Sequence, residues 1–261
     1  MQLFPAIDSS ITYLLVLILA RVGAIMMSSP IYGERLLPIR FRLLLAFCVA
    51  VLVFPIELGT PVEVPGSMPM LVVAVVAEIL IGLTLGLGIR LFFSAMQMAG
   101  ELIGRMGGVM VADVFDPTSG ESAPLMSRLY YLFAITVFLL IGGHRLIMSA
   151  LLETYKILPP GSSVDMQSAG NLMVGLADSS FQLGFHVALP VACSLLIATI
   201  AVALIGRTLP QLNIMTVGFS LNAILTFGLV FVSIGTAAWL FADQMTPVLE
   251  QILESFTNSG T

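Results

Sequence analysis

Long apolar stretches follow one another along the whole chain, and most are long enough to cross a lipid bilayer. An α-helix rises about 1.5 Å per residue, so about 20 residues span the roughly 30 Å hydrocarbon core. The candidate stretches are residues 10–32, 41–56, 68–89, 91–112, 125–152, 169–205 and 212–242. The sequence therefore predicts an all-α, multi-span integral membrane protein.

The charge content agrees with a membrane location and excludes some partners. Of 261 residues, 58% are apolar and only 10% are charged, whereas about 25% of an ordinary soluble domain is charged. Ten Lys and Arg residues with fifteen Asp and Glu residues cannot cover the surface of a soluble monomer. With a net charge of −5, the chain also lacks the basic face that phosphate binding needs, so we expect no nucleic-acid partner.

Residues suited to catalysis are scarce. The chain has two histidines, no HExxH zinc motif and no Gly-Lys-Ser/Thr phosphate loop. We therefore expect no enzymatic activity, no metal and no cofactor. A secondary transporter with a helix broken at Pro190 is an alternative from another class, although the two halves of the chain show no matching pair of interrupted stretches.

Charged side chains inside apolar stretches indicate contact with protein or water, because lipid contact costs about 2.5–3.5 kcal/mol for each on insertion scales. The charged residues so placed are Arg21, Glu78, Glu101, Arg105, Arg128 and Asp178. Glycines spaced four apart lie near them and let another backbone approach closely; they are Gly82, Gly86, Gly100 and Gly104. We expect these glycines, with Arg21, Glu78, Glu101 and Arg105, at subunit interfaces, and packing within the chain is an equal alternative.

Basic loops tend to remain in the cytoplasm, which places residues 35–42 inside and residues 57–66 outside. Continuing this path places Lys156 inside. The path does not close at Arg207, because the 37 residues of stretch 169–205 would form a helix of about 55 Å. Either Pro190 divides this stretch into two pieces, or part of the protein lies outside the lipid; we favour the second.

The segment from residue 104 to residue 124 begins apolar and ends as an acidic, turn-rich loop. Gly107 and Gly108 allow the helix to unwind, and Asp116 with Pro117 starts a turn. The bulky apolar side chains of the segment are Met106, Met110 and Phe115. This pattern predicts a gate or plug that closes a pore against ions, and a plain connecting loop is the alternative.

Several motifs, in this order along the chain, resemble the FliR family of flagellar export-gate proteins. They are Arg21 with Gly33-Glu34-Arg35, Glu78 to Gly82, Gly100 to Gly104, Phe115-Asp116-Pro117, Gly142-Gly143-His144, Leu158 to Gly161, and Arg207 to Asn213 followed by Gly218. The resemblance covers essentially the whole chain.

The resemblance implies a structural, non-catalytic subunit of a type III secretion export gate, at the bacterial inner membrane in the flagellar basal body. It implies a FliP-like part at residues 1–165, with the plug at 104–124, fused to a FliQ-like helical hairpin and acidic tail at residues 166–261, in a closed helical assembly. The implied partners are FliP, FliQ, FlhB and FlhA, and the passengers are unfolded flagellar proteins. Injectisome homologues share this architecture, so a virulence secretion system is the nearest alternative.

The link between the last two apolar stretches is polar and is expected to form the bend of the hairpin. We expect Arg207, Pro210, Gln211 and Asn213 to form a tip at the cytoplasmic entrance. A simple interfacial anchor is the alternative role for Arg207.

Overall fold

A computed structural model describes residues 9–30, 38–60, 62, 64–109, 124–162, 165–208 and 214–259. These residues form seven α-helices, and no β-strand occurs among them. The helices are α1 Ser9–Ser28, α2 Ile39–Glu57, α3 Met68–Met106, α4 Leu125–Leu140, α5 Gly143–Ile157, α6 Met166–Thr208 and α7 Ile214–Ser259. The all-α prediction is confirmed.

Within the described ranges, five helices are long and apolar enough to cross a membrane: α1, α2, α3, α6 and α7. Helices α4 and α5 are bent by 68° relative to each other and would together count as a sixth span. The multi-span prediction is confirmed, and the seven candidate stretches become at most six spans because two of them merge into α3.

Helix α3 is a single helix of 39 residues, so the predicted separation into two stretches at Arg90 is wrong. Arg90 interrupts the apolar run, but arginine has a high helix propensity and leaves the backbone hydrogen bonding intact. At about 1.5 Å per residue α3 is about 58 Å long, nearly twice the thickness of a bilayer core.

Helix α6 passes through Pro190 without ending and contains 43 residues. The Ser194 hydroxyl donates to the Pro190 carbonyl oxygen at 2.7 Å, inside the continuous helix. The structure therefore excludes the alternative in which Pro190 divides this stretch. With a length of about 65 Å, α6 exceeds what a bilayer core can contain in an upright orientation.

The stretch predicted as one span over residues 125–152 is broken into α4 and α5. Gly142 adopts a left-handed conformation, with φ of 74°, and precedes the first residue of α5. Helix α5 is amphipathic: Ile147, Leu151 and Tyr155 are buried, whereas Arg145 and Lys156 are exposed. At 16 and 15 residues, α4 and α5 are each shorter than a span.

The described residues divide into two compact units. The first comprises residues up to Leu91, Gly142–Ala177 and residues from Thr246 onward. In its core α1 and α3 run parallel. Arg21 of α1 contacts Glu78 of α3, and Ser28, which follows Arg21 on α1, lies against Gly86, which follows Glu78 on α3. Leu17, Ile18 and Ile25 of α1 are fully buried there.

The first unit corrects the predicted membrane path. Gly161 lies close to Val62 and to Leu17, since a Cβ at Gly161 would be 3.8 Å and 3.7 Å from their side chains. The segment after α5 therefore lies at the same end of the unit as the segment after α2. The sequence had assigned these two segments to opposite sides of the membrane, and that assignment is wrong because α4 and α5 do not form a straight span.

The second unit comprises Phe92–Ile141 and Asp178–Met245. Its core centres on Phe93, whose ring makes edge contacts with Tyr131, Phe138 and Phe241 at centroid distances of 5.9, 5.4 and 5.4 Å. This aromatic cluster joins α3, α4 and α7, which are far apart in sequence.

The two compact units are defined by contacts within the chain, whereas the predicted division between residues 165 and 166 is defined by likeness to other proteins. Helices α3, α6 and α7 each contribute residues to both units. The predicted FliP-like and FliQ-like parts concern relationships to other proteins, and they stay a prediction.

Candidate functional site

Arg21 of α1 and Glu78 of α3, two of the charged residues predicted within apolar stretches, belong to one buried network in the first unit. Arg21 and Glu78 have no exposed surface, and the Arg21 Nε atom lies 2.5 Å from Glu78 Oε2. The other carboxylate oxygen of Glu78 accepts the Gly161 backbone N–H at 2.8 Å. Both oxygens of this buried acid therefore have a partner.

The guanidinium of Arg21 uses its remaining donors on α5 and the turn that follows it. It donates to the Thr154 hydroxyl at 3.2 Å and to the Leu158 carbonyl oxygen at 3.0 Å. Its carbon lies 4.2 Å from the centre of the Tyr155 ring, a cation-π geometry. The network ties α1 to α3 and α5. The sequence singled out Leu158 to Gly161 only as a motif of the resemblance, and nothing in it indicated that Thr154, Tyr155 or this motif would contact Arg21 and Glu78.

The small-residue face of α3 in the first unit is filled by α1 of the same chain. A Cβ at Gly82 would overlap the Arg21 carbonyl oxygen and approach Ala24, and a Cβ at Gly86 would overlap the Ser28 side chain. Close helix approach at these two glycines is therefore accounted for within one chain. Their predicted place at a subunit interface stays a prediction that the described contacts do not require.

The space beside the glycines further along α3 is occupied in the same way by α4. A Cβ at Gly100 would overlap the Met126 carbonyl oxygen, and one at Gly104 would lie 3.2 Å from the Met126 side chain. The Ser127 hydroxyl also donates to the Gln97 carbonyl oxygen at 2.9 Å. Helix α4 therefore begins tightly packed against the end of α3.

Glu101 and Arg105 differ from the buried pair. They lie one turn apart on α3 and form an ion pair with each other, with side chains 38% and 62% exposed. These side chains are therefore not buried within the chain, and their predicted place at a subunit interface stays a prediction. They remain candidates for contact with a second chain, because an exposed ion pair on an apolar helix needs water or protein around it.

The predicted plug segment is described at its beginning. Helix α3 ends at Met106, which is exposed, and Gly108 follows with φ of 69°. The Val109 N–H donates to the Gly104 carbonyl oxygen at 3.1 Å, and the Gly108 N–H donates to the Arg105 carbonyl oxygen at 3.3 Å. These bonds form a Schellman cap, so the two glycines terminate α3.

The other predicted plug residues, Met110, Phe115, Asp116 and Pro117, lie outside the described residues. The residues that flank segment 110–123 are described. Gly104, before the segment, lies close to Met126, after it. Helix α4 therefore begins beside the end of α3.

The predicted hairpin between α6 and α7 is supported by contacts near its bend. The Asn222 amide donates to the Thr199 hydroxyl at 3.3 Å, and a Cβ at Gly218 would lie 3.3 Å from the Val202 side chain. These pairings place the two helices antiparallel. Arg207 is exposed at the end of α6, and Pro210, Gln211 and Asn213 lie outside the described residues.

Among the described residues, no group of three or more His, Cys, Asp or Glu side chains is placed to hold a metal ion. The features that the described residues do form are a buried ion-pair network and the tight glycine contacts of α3 with α1 and with α4. Such features fix helix positions.

Comparison with known proteins shows which family this chain resembles. The profile of the family described as bacterial export proteins, family 1, matches residues 12–248. The flagellar biosynthetic protein FliR of Caulobacter vibrioides is 30% identical, over 91% of this chain and 95% of the relative. Proteins of the same name from Pectobacterium carotovorum and Escherichia coli are 31% and 34% identical, over 92% and 81% of this chain and 92% and 79% of the relatives. The resemblance found in the sequence motifs is confirmed, and the chain belongs to the FliR family of bacterial export proteins.

Proposed function

We propose that this chain is a structural subunit of the flagellar type III protein export gate and acts without catalysis. Family membership over residues 12–248 carries this proposal, together with relatives that are named flagellar biosynthetic proteins over most of their length. The names of these relatives favour the flagellar system over the injectisome alternative.

The chain is proposed to reside in the bacterial inner membrane of the flagellar basal body and to assemble with FliP, FliQ, FlhB and FlhA. Three helices support an assembly that extends beyond the lipid. Helices α3, α6 and α7 contain 39, 43 and 46 residues, and each is about twice as long as the bilayer core is thick. Part of each helix must therefore meet protein or water, or the helix must tilt strongly.

Within this assembly, the segment following α3 is proposed to plug the pore through which unfolded flagellar proteins pass. The described residues on either side of the segment lie close together, since a Cβ at Gly104 would be 3.2 Å from the Met126 side chain. Met106, Met110 and Phe115 would supply the apolar seal. The hairpin tip around Arg207 is proposed to face the cytoplasmic entrance.

The plug is tested by replacing residues 109–119 with a Gly-Ser linker of equal length in cells that make the complete export gate. A pore wide enough for a polypeptide dissipates the proton gradient unless it is closed, so this variant should lose membrane potential, measured with a potential-sensitive dye. The single variant Phe115→Ala should show a smaller loss, because several apolar groups share the seal.

Co-purification with FliP and FliQ is the control that the altered chain still assembles. If the assembled loop variant keeps a normal membrane potential, the segment is a connecting loop and the seal lies elsewhere.

A further inference from the structure

We propose that α2 is a lipid-facing helix of the assembled protein and that Arg40, at its start, binds the headgroup of an anionic phospholipid. Helix α2 and its neighbour α1 both lie in the first unit. A lipid surface with a headgroup contact goes beyond the proposed function, because it involves neither the plug nor the hairpin tip.

Helix α2 has the length of one bilayer crossing. Its 19 residues span about 28 Å, close to the roughly 30 Å of a hydrocarbon core. Over an 18-residue window only 17% of α2 is buried, the lowest share among the five span-length helices in the described part of the chain. Most of its circumference is therefore left for lipid or for another subunit.

One exposed stripe runs along α2 from its basic start. Residues four apart on an α-helix lie on the same face, and every fourth residue from the start of this stripe is exposed: Arg40, Leu44, Cys48, Leu52 and Ile56. The buried residues Ala46, Ala50 and Val53 lie elsewhere on the helix, and α1 is its neighbour. The stripe therefore joins one exposed cation to a continuous apolar surface.

The exposed side chains of α2 suit lipid better than a closely packed helix. Helix contacts within membranes are rich in Gly, Ala, Ser and Thr, which let two backbones approach, and Gly82 and Gly86 of α3 meet α1 in this way. No exposed residue of α2 between Ile39 and Ile56 is of these four types. Large aliphatic and aromatic side chains cover the outer faces instead, as lipid contact favours.

The charges of α2 indicate an anionic headgroup. Arg40 is exposed in the first turn, where the partial positive charge of the helix start adds to its own charge. Arg42 is half-buried and already has an interaction within the protein. Glu57, the one acidic residue of α2, is buried at the other end. The exposed surface of α2 is therefore purely cationic at its start, and basic ends of spans tend to lie at the negatively charged cytoplasmic leaflet.

Cys48 supplies a reporter on the exposed stripe. The complex is purified from cells that make the complete export gate, with Cys193 and every other cysteine of the complex replaced by Ser, and Cys48 is labelled with a bimane fluorophore. After reconstitution into bilayers, lipids with brominated acyl chains should quench the fluorescence and aqueous iodide should not.

Three results would overturn the lipid-facing position of α2. Quenching by neither agent would mean that a subunit covers Cys48, and quenching by iodide would place α2 in water. A Cys48 thiol that reacts only after the complex has been denatured would likewise mean that a subunit covers it.

The headgroup contact is tested with the same reporter, by comparing brominated phosphatidylglycerol, which is anionic, with brominated phosphatidylcholine, which is not. At low salt the anionic lipid should associate about fivefold more strongly, the factor expected for one arginine near a charged membrane surface. Added salt should reduce this preference. Arg40→Gln should remove it, and Arg40→Lys should keep most of it. Arg145→Gln is the matched control, because Arg145 is also exposed but lies on α5.

Equal association of the two lipids with the wild type would overturn the headgroup contact, as would a preference that survives in Arg40→Gln or is lost in Arg145→Gln. If Arg40→Gln fails to assemble, a wild-type preference that salt does not reduce would still reject a charge contact. None of these outcomes depends on the leak caused by the loop replacement, so failure of the plug and failure of the lipid contact are distinguishable.

Discussion

Two glutamates of α3 form ion pairs in opposite environments. Glu78 of α3 is fully buried with Arg21, and both of its carboxylate oxygens are bonded, whereas Glu101 of α3 pairs with Arg105 on the surface. Breaking a buried pair leaves an uncompensated charge, while an exposed pair is screened by its surroundings. The two pairs should therefore contribute very differently to stability.

Replacement of Glu78 by Gln should destabilise the chain by about 3–5 kcal/mol, because Arg21 would remain buried without its counter-charge. Glu101→Gln, the matched control on α3, should cost at most about 1 kcal/mol. The measurement is the apparent thermal unfolding midpoint of the detergent-solubilised complex, followed by tryptophan fluorescence of Trp239. Equal shifts for the two variants would show that the buried network does not stabilise the fold.

The helices of the hairpin are apolar near the bend and amphipathic further from it. Residues 187–242, around the bend, contain one charged residue, Arg207. The outer half of α7 is amphipathic: Met245, Ile252 and Phe256 are buried, whereas Glu250 is exposed. An all-apolar surface is typical of lipid or subunit contact, and an amphipathic surface is typical of a helix with one face in water. The halves near the bend are therefore the parts of α6 and α7 suited to the membrane.

The packing of α4 on α3 can be tested at Gly100, where an added methyl group would meet backbone atoms that cannot move aside. Gly100→Ala should destabilise the complex by at least about 1–3 kcal/mol, as overpacking does in closely packed cores. Gly23→Ala is the control, because a Cβ at Gly23 meets nothing within 4 Å. Thermal unfolding of both variants gives the comparison, and a tolerated Gly100→Ala would mean that α3 and α4 are further apart.

The start of α6 depends on pH through Asp165. Its carboxylate accepts the Ser168 hydroxyl at 2.6 Å and the backbone N–H groups of Gln167 and Ser168 at 3.1 Å. These bonds, led by the Ser168 hydroxyl, lower the pKa of Asp165 below its ordinary value of 3.8. Because the folded pKa is lowered, the cap stabilises the helix start above the ordinary value and loses its effect as the pH falls through the folded pKa.

Amide hydrogen exchange at Gln167 and Ser168 should therefore lose protection below the ordinary pKa of Asp165, approaching the protection in Asp165→Ala. Asp165→Asn keeps a capping oxygen but does not titrate, and its protection should stay constant over the same range. A wild-type protection that does not change with pH would contradict this role for the carboxylate.

The whole molecule exposes large apolar side chains along several helices. Leu52 on α2 and Phe231 on α7 are 71% and 80% exposed, and Trp239 is 63% exposed. Lipid or other subunits must cover such a surface, because contiguous apolar surface of this extent is not stable in water. The glycine contacts and the Arg21 network are satisfied within the chain, so dependence on partners is expected to come from these exposed faces.

Expressed alone, the chain should be polydisperse in detergent or degraded, and co-expression with FliP and FliQ should yield a homogeneous complex. Size-exclusion chromatography with light scattering measures this, and a co-expressed transporter unrelated to export serves as the control for expression load. A stable, homogeneous monomer would show that lipid alone covers the exposed faces.

The sequence by itself determined the class of protein, because membrane insertion requires contiguous apolar residues and these are visible in the order of residues alone. Ordered short motifs likewise indicated the FliR family, and the bend near Arg207 followed from its polar and proline residues. The continuity of the helices at Arg90 and at Pro190 could not be predicted from the sequence, because hydropathy indicates the surroundings of a residue and not its backbone hydrogen bonding.

Only the tertiary structure decided which distant residues meet. Arg21 and Glu78 lie 57 positions apart, and nothing local indicates that they pair with each other or that Thr154 and Gly161 complete the network. Thr226 likewise carries no local sign that it fills the space beside Gly107. Contacts of this kind depend on how whole helices pack, and the free energy of that packing is a property of the folded chain.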